Sequence, residues 1–302
     1  MVEKGRLVLA IQKASKGEKV FDIFNYIFMF ILCLTTLYPF LYLLSNSLAS
    51  TEVAQTQINI IPKSITLENY KRVLANSLIA SGYYNTILRT VIGTLLGLVV
   101  TFALAYPLSK RYVPNRNFWT AIIVFTMFFS GGLIPTYLLV RNLNLMNTIW
   151  ALILPELVSA YNFVIVRNYM MSLPESIEES ARIDGANDIT ILLRIILPIC
   201  KPIIATIALW IAVWHWNSWF DSMIYSQKAE KQVVQLVMRR VVLEGSQQVM
   251  DMTSMDESGL RAVTPESLKA ATVMITTIPI LLVYPFIQKY FVKGVMMGSL
   301  KG

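Results

Sequence analysis

Glu179-Ser180-Ala181-Arg182-Ile183-Asp184-Gly185-Ala186, followed by Ile195-Ile196-Leu197-Pro198, decides the reading of this chain, because it forms a polar hairpin between two apolar stretches. Ser172 followed by Glu175 reads as a capping box that opens a short helix. Gly185 is placed to close that helix in the left-handed conformation. A second helix is expected from Asn187 or Asp188 to Pro198. Its Ile189, Leu192, Leu193 and Ile196 recur at helical spacing and share one face. An apolar face on a loop outside the bilayer calls for a protein partner. An ordinary hairpin would show any one of these signals; their joint register before an apolar run is the informative feature.

The surrounding composition is that of a membrane protein. Hydrophobic residues make up 55% of the 302 residues and charged residues 15%, and the mean hydropathy is +0.57. Such a chain is too apolar for a soluble domain of average composition. Six stretches are long enough to cross: 23 to 45, 84 to 109, 117 to 140, 148 to 168, 200 to 220 and 270 to 290. The fold class is therefore an all-α integral membrane protein with six transmembrane helices. Lys4, Arg6, Lys13, Lys16 and Lys19 precede the first stretch, Lys110, Arg111 and Arg116 follow the second, and Lys289, Lys293 and Lys301 end the chain. The positive-inside rule puts all three groups, both termini and the loop at 169 to 199 in the cytoplasm. The segments 46 to 83 and 221 to 269 then lie outside. The net charge of +8 is a topology signal, and no basic patch interleaved with aromatics points to nucleic acid. The uncharged run after Asp22 exceeds a signal-peptide core, so an uncleaved span is expected. Cys33 and Cys200 fall on opposite halves of the membrane path, and no disulfide is expected between them.

Catalytic and metal constellations are missing from the sequence. There is no Gly-Lys dipeptide, hence no P-loop, and His215 as the single histidine excludes a His-Glu-x-x-His zinc site. The 14 methionines are scattered and read as packing residues. No catalytic residue, metal or bound cofactor is expected on this chain. His215 lies in Trp214-His215-Trp216-Asn217-Ser218-Trp219-Phe220, which reads as an interfacial aromatic belt with a satisfied histidine. The competing reading makes Trp216, Asn217 and Trp219 substrate-facing, since aromatic faces pack on pyranose rings. Arg89 and Glu156 are the ionisable residues inside spans, each costing about 2.5 to 3.5 kcal/mol if unpaired. At similar expected depth they either pair with one another or line a pathway. Pro155, Gly131-Gly132 with Pro135, and Pro279 with Pro285 interrupt or kink spans four, three and six, as pathway lining or helix packing both allow.

The order Glu-small-Ala, three residues, Gly, nine residues, then Ile-x-Leu-Pro resembles the EAA loop of ABC importer permeases, with Ser180 in place of the usual first Ala. The resemblance extends over nearly the whole chain, through Thr66-Leu67-Glu68-Asn69-Tyr70, Asn85-Thr86, Ala105-Tyr106-Pro107-Leu108-Ser109, Trp216-Asn217 and the terminal Lys293-Gly294-Val295 and Gly298 to Gly302. These look like carbohydrate-uptake permeases of the maltose-transporter kind, and most like the second permease of oligosaccharide and polysaccharide-fragment importers. The resemblance implies a type I ABC importer (MetI-like) permease fold: a cytoplasmic segment 1–22, a six-helix permease domain 23–292 holding a coupling loop at 172–198 and the external loop 221–269, and a cytoplasmic tail 293–302. It implies ATPase-coupling roles for Glu179, Ser180, Ala181, Asp184, Gly185, Ala186, Ile189, Leu192, Leu193 and Ile196. The implied partners are a second homologous permease, an ATPase dimer carrying ATP and magnesium, an extracytoplasmic solute-binding protein, a carbohydrate and membrane lipid. The implied location is the plasma membrane of a bacterium. An ABC permease for a non-sugar solute and an ion-coupled secondary transporter are the alternatives; the latter lacks a relay of charges across several spans.

Overall fold

In hydrocarbon every backbone N–H and C=O must be satisfied within the protein, which favours helices for a chain this apolar. The computed structural model describes residues 16–50, 65–244 and 264–299, and they are helical. A bridge between Ala49 and Ile65 is the one isolated extended pairing among the described residues. The helices are α1 Lys16–Leu48, α2 Glu68–Ala75, α3 Ser77–Ser109, α4 Arg116–Phe128, α5 Leu133–Asn142, α6 Ala160–Met171, α7 Ser176–Ile183, α8 Asp188–Ile199, α9 Lys201–Asn217, α10 Phe220–Tyr225, α11 Val234–Arg239 and α12 Pro265–Ser299. By length and composition α1 and α3 each suffice to cross a bilayer, and three bent units bring the candidates among the described residues to five. The sixth expected stretch, 270 to 290, lies within α12, which runs through both Pro279 and Pro285.

Two expected spans are not single helices, for the reason their sequences give. After α4 the backbone becomes extended at Phe129 and turns through Gly132 at φ +85°, so α5 leaves at 109° to α4. Pro155 sits in a pair of 3-10 turns, Ile149–Leu152 and Leu154–Glu156, and the Ser159 hydroxyl then accepts from the Asn162 N–H at 3.4 Å to start α6. The two halves meet at 54°. The second expected span begins earlier than 84: the Asn76 side chain accepts from the Leu78 N–H at 2.8 Å and starts α3 at Ser77. This 33-residue helix, about 50 Å long, is the central strut, packed against α6 and α9.

Several of the motifs quoted above prove to be staples that tie distant segments together. Asn69 Nδ2 donates to the carbonyls of Ser47 and Ala49 at 2.9 and 3.1 Å, and the Tyr70 and Ser47 hydroxyls meet at 2.7 Å, so α2 holds the end of α1. Asn85 Nδ2 donates to the Glu230 and Gln232 carbonyls at 2.8 and 3.0 Å, and the Thr86 hydroxyl accepts from the Val234 N–H at 3.0 Å. A Cβ at Gly82 would stand 3.0 Å from the Val234 Cα, so any side chain there would push the two backbones apart, and glycine permits the close approach.

These bonds show that the first part of the loop expected at 221–269 is held against the helices and does not stand free of them. Residues 221–244 fold back onto α3, and Val233, Val234, Leu236, Val237 and Val241 are buried. The apolar run Val233 to Val237 drives this, since leaving it in water would forgo roughly 1.5 to 3 kcal/mol per large side chain. Residues 245–263, including Gly245 and Gly259, lie outside the described residues, as do 1–15, 51–64 and the end of the tail from 300.

Candidate functional site

The polar hairpin between α6 and α9 begins without the expected capping box. Ser172 is the last residue of the α6 turn, its hydroxyl bonded back to the Tyr169 carbonyl at 2.7 Å, and Glu175 caps nothing with its side chain. The end of α7 is as expected. Gly185 adopts φ +82°, its N–H donates to the Arg182 carbonyl at 3.0 Å, and the Ala186 N–H reaches the Ala181 carbonyl at 2.9 Å. That pair of bonds is a Schellman turn. The Asn187 side chain accepts from the Thr190 N–H at 2.8 Å and opens α8.

The shared face predicted for α8 is split. Residues 191–196 form a π-helical turn, which widens the spacing and shifts the phase of everything after it. Ile196 is 1% exposed and Ile191, not singled out from the sequence, is fully buried; both join the core with Ala181, Phe163 and Ile207, while Leu192 and Ala186 pack at its edge. Ile189 and Leu193 point outward at 69% and 57% exposure, joined by Ile183 at 86%. The exposed apolar set is therefore Ile183, Ile189 and Leu193. Glu179, Ser180 and Asp184 are exposed beside it, and Glu179 and Asp184 make no side-chain hydrogen bond among the described residues. α8 runs one residue past Pro198 and turns through 83° at Cys200 into α9.

Three consecutive residues after α3 meet this hairpin. Lys110 Nζ, lying 4.6 Å over the Tyr106 ring, pairs with Glu178, both side chains nearly buried. Arg111 Nε lies 3.3 Å from Glu175 in solvent. The Tyr112 hydroxyl accepts from Arg182 Nη2 at 2.8 Å and meets Asp188, which Arg182 also bonds. The hydrogen bond to Tyr112 raises the Arg182 pKa above its ordinary value.

Toward the other end of α3, Arg89 is fully buried, and its partner is Asp221, not Glu156. Its two terminal nitrogens engage both Asp221 oxygens, Nη1 also donates to the Ser218 carbonyl at 3.3 Å, and Nε donates to His215 Nδ1 at 3.2 Å. α9 ends at Asn217 and the chain turns at Ser218, which swings Asp221 back to the arginine. Glu156 is exposed and makes no ion pair or hydrogen bond among the described residues. His215 is satisfied as expected, yet it is buried at 1% exposure and not part of a surface belt. Trp216 Nε1 is buried with no hydrogen-bond partner among the described residues, Asn217 is exposed and bonded to the Val213 carbonyl, and Trp219 carries the Arg239 guanidinium 3.8 Å over its ring. The sequence reading missed Asp221 and Arg239. The acid was visible immediately after the aromatic cluster Trp214–Phe220, but nothing local pointed back to residue 89. Cys33 and Cys200 are both free thiols, and no cluster able to hold a metal occurs among the described residues.

A family model described as the binding-protein-dependent transport system inner membrane component matches residues 111–297. The chain is 42% identical over 291 residues to Protein LplC of Bacillus subtilis (strain 168), covering 95% of this chain and 97% of that one. It is 38% identical over 287 residues to the polygalacturonan/rhamnogalacturonan transport system permease protein YtcP of the same organism, covering 94% and 99%. Among solved structures, a chain of a bacterial ABC transporter involved in the import of the acidic polysaccharide alginate superposes with a TM-score of 0.84 at 32% identity, covering 93% of this chain and 99% of that one.

Proposed function

The chain belongs to the family of binding-protein-dependent transport system inner membrane components, and from that premise we propose that it is the permease subunit of an ATP-driven importer of oligosaccharides or polysaccharide fragments. It crosses the membrane as part of the translocation pathway beside a second, homologous permease. ATP hydrolysis belongs to a separate ATPase dimer, with its magnesium, and a solute-binding protein delivers the carbohydrate from outside. Both termini and the 172–198 hairpin face the cytoplasm. The observation that carries this reading is the hairpin: a Schellman turn at Gly185 presents Ile183, Ile189 and Leu193 to solvent beside the carboxylates of Glu179 and Asp184, which have no ion-pair partner among the described residues. Three exposed apolar side chains on a rigid polar loop suit a cleft on a protein partner, with the carboxylates at its rim.

An acidic carbohydrate is the preferred cargo. Two of the similar proteins are named for acidic polysaccharides, and Arg239 lying over Trp219 sets a guanidinium on an aromatic face, a combination suited to the carboxylate and ring of a uronate. The test is uptake into proteoliposomes holding the full transporter and its binding protein, with trigalacturonate and the neutral maltotriose as labelled probes. Uptake should require ATP and stop with vanadate, and trigalacturonate should be preferred. Uptake of trigalacturonate driven by an ion gradient without ATP would replace the importer with a secondary transporter. Import of neither sugar would withdraw the carbohydrate assignment.

A further inference from the structure

From the sequence Lys110 and Arg111 are only a topology signal and Tyr112 carries no signal, yet each reaches the hairpin: Lys110 to Glu178, Arg111 to Glu175, Tyr112 to Arg182 and Asp188. We propose that the Lys110–Tyr112 turn is a clamp that makes the hairpin and α3 move as one body, so that displacement of the hairpin is carried along α3 to the Arg89 centre in its N-terminal half. The proposal rests on the importer reading, and it assigns to these three residues a positioning role in coupling.

The physical case has three parts. The Lys110–Glu178 pair is shielded, with side chains 11% and 12% exposed, and Lys110 is further held over the Tyr106 ring. Such a pair resists separation because parting the charges would leave each poorly solvated. The second contact lies at the far side of the hairpin: Arg182 stacks 4.9 Å over the Tyr112 ring while bonding its hydroxyl, and it bonds Asp188 across the Gly185 turn. The clamp therefore grips both helices of the hairpin, α7 through Glu178 and Arg182 and α8 through Asp188. The Arg111–Glu175 pair is exposed and adds little, and the Arg182–Asp188 pair, 42% and 53% exposed, orients α8 through the Tyr112 contact more than it holds it by charge.

The third part is what α3 carries away from the clamp. It is one unbroken helix from Ser77 to Ser109, and through Asn85, Thr86 and Arg89 it holds the Glu230–Val234 segment and Asp221. A helix held by directional polar contacts at the clamp and again at residues 85–89 transmits a displacement between them, whereas apolar sliding contacts would absorb it.

The experiment uses the full transporter in proteoliposomes with Cys33→Ser and Lys228→Cys, the latter an exposed position in the segment held by α3. Maleimide labelling at position 228 is compared without nucleotide and after trapping with ATP and vanadate. The parent should show a nucleotide-dependent change in labelling rate. Lys110→Glu combined with Tyr112→Ala should leave the ATPase bound and hydrolysing while that change shrinks about tenfold, within the usual range of coupling between sites. Exchange of the pair, Lys110→Glu with Glu178→Lys, should restore most of it. A second set guards against misfolding: Tyr112→Cys and Asp188→Cys joined by a short bis-maleimide should keep the full response, because a clamp that never opens is indifferent to being locked. An unchanged response in the Lys110→Glu, Tyr112→Ala variant, loss of the response on locking, or loss of the ATPase from the complex would each overturn the proposal. A parent whose ATPase never binds fails the importer reading itself, which is a different result.

Discussion

Replacing Asp221 by Asn is the sharpest perturbation of the fold, because it removes the charge opposite Arg89 while keeping nearly the same shape. The Arg89 side chain has no exposure and Asp221 is 20% exposed. Taking one partner from a buried pair costs about 3 to 5 kcal/mol, since the remaining charge stays desolvated. Asn retains one acceptor for the guanidinium, and the partial exposure of Asp221 admits some screening, so the expected loss is about 3 kcal/mol. His215 and the Ser218 carbonyl still accept from Arg89 but supply no compensating charge. At about 2 °C per kcal/mol for a domain of this size class, the melting temperature should fall by about 6 °C. Glu156→Gln, exposed and forming no ion pair with Arg89 although its charge lies within range of it, should shift it by no more than about 1 °C. The assay is thermal melting of the detergent-purified transporter followed by size exclusion, with Arg89→Met and the Asp221→Asn, Arg89→Met double variant closing the cycle. Coupling of about 1 kcal/mol or more between positions 89 and 221 is expected. Additivity at 89 and 221 together with strong coupling between 89 and 156 would refute the pairing.

Gly185→Val should uncouple ATP hydrolysis from uptake: nothing crowds a side chain there, but φ +82° costs a β-branched residue about 1 to 2 kcal/mol and loosens the turn; Gly185→Asn, which tolerates that conformation, should retain most coupling, and equal behaviour of the two would count against the turn. Leu193→Asp should abolish co-purification of the ATPase with little loss of thermal stability, whereas Ile196→Ala should do the reverse and cost about 2 to 5 kcal/mol; measuring pull-down and melting side by side separates docking from core. Gly82→Leu drives a side chain into the Val234 backbone and should release the 230–237 segment, read as faster hydrogen exchange there than in α9; unchanged exchange would show that the segment is held by other contacts.

The parts legible in the sequence were those decided within a few residues. Gly185 and Asn187 mark the hairpin turn because a left-handed cap and an Asn N-cap are local choices, and Gly132 and Pro155 break their spans for the same kind of reason. The capping box at Ser172 and Glu175 shows the limit of local matching. The same tetrad also fits the end of the preceding helix, and α6 claimed the serine first. Periodicity failed at α8 because it assumes 3.6 residues per turn throughout, and one π-helical turn carried Leu192 and Ile196 to the core while Ile189 and Leu193 stayed outward.

Long-range pairing was the larger loss, and it has a common cause. Arg89 and Asp221 are 132 residues apart, Asn85 and Gln232 are 147 apart, and Lys110 and Glu178 are 68 apart; no window along the chain spans them. Depth reasoning chose Glu156 for Arg89 because it counted only charges inside spans, and Asp221 had been assigned to water. The signal against that assignment was present in Val233-Val234-Gln235-Leu236-Val237, an apolar run too short to cross a bilayer and too costly to leave solvated. A run of that kind must find cover against the protein. Once it folds back onto α3, the chain between Ser218 and Val233 is forced to pass close to Arg89, and Asp221 is the acid it carries there. The sequence motifs shared with permeases then acquire a physical meaning: Asn69, Asn85 and Thr86 hold chain segments to the helices by backbone-directed hydrogen bonds, a job that side chains of other shape or polarity would not do at those positions.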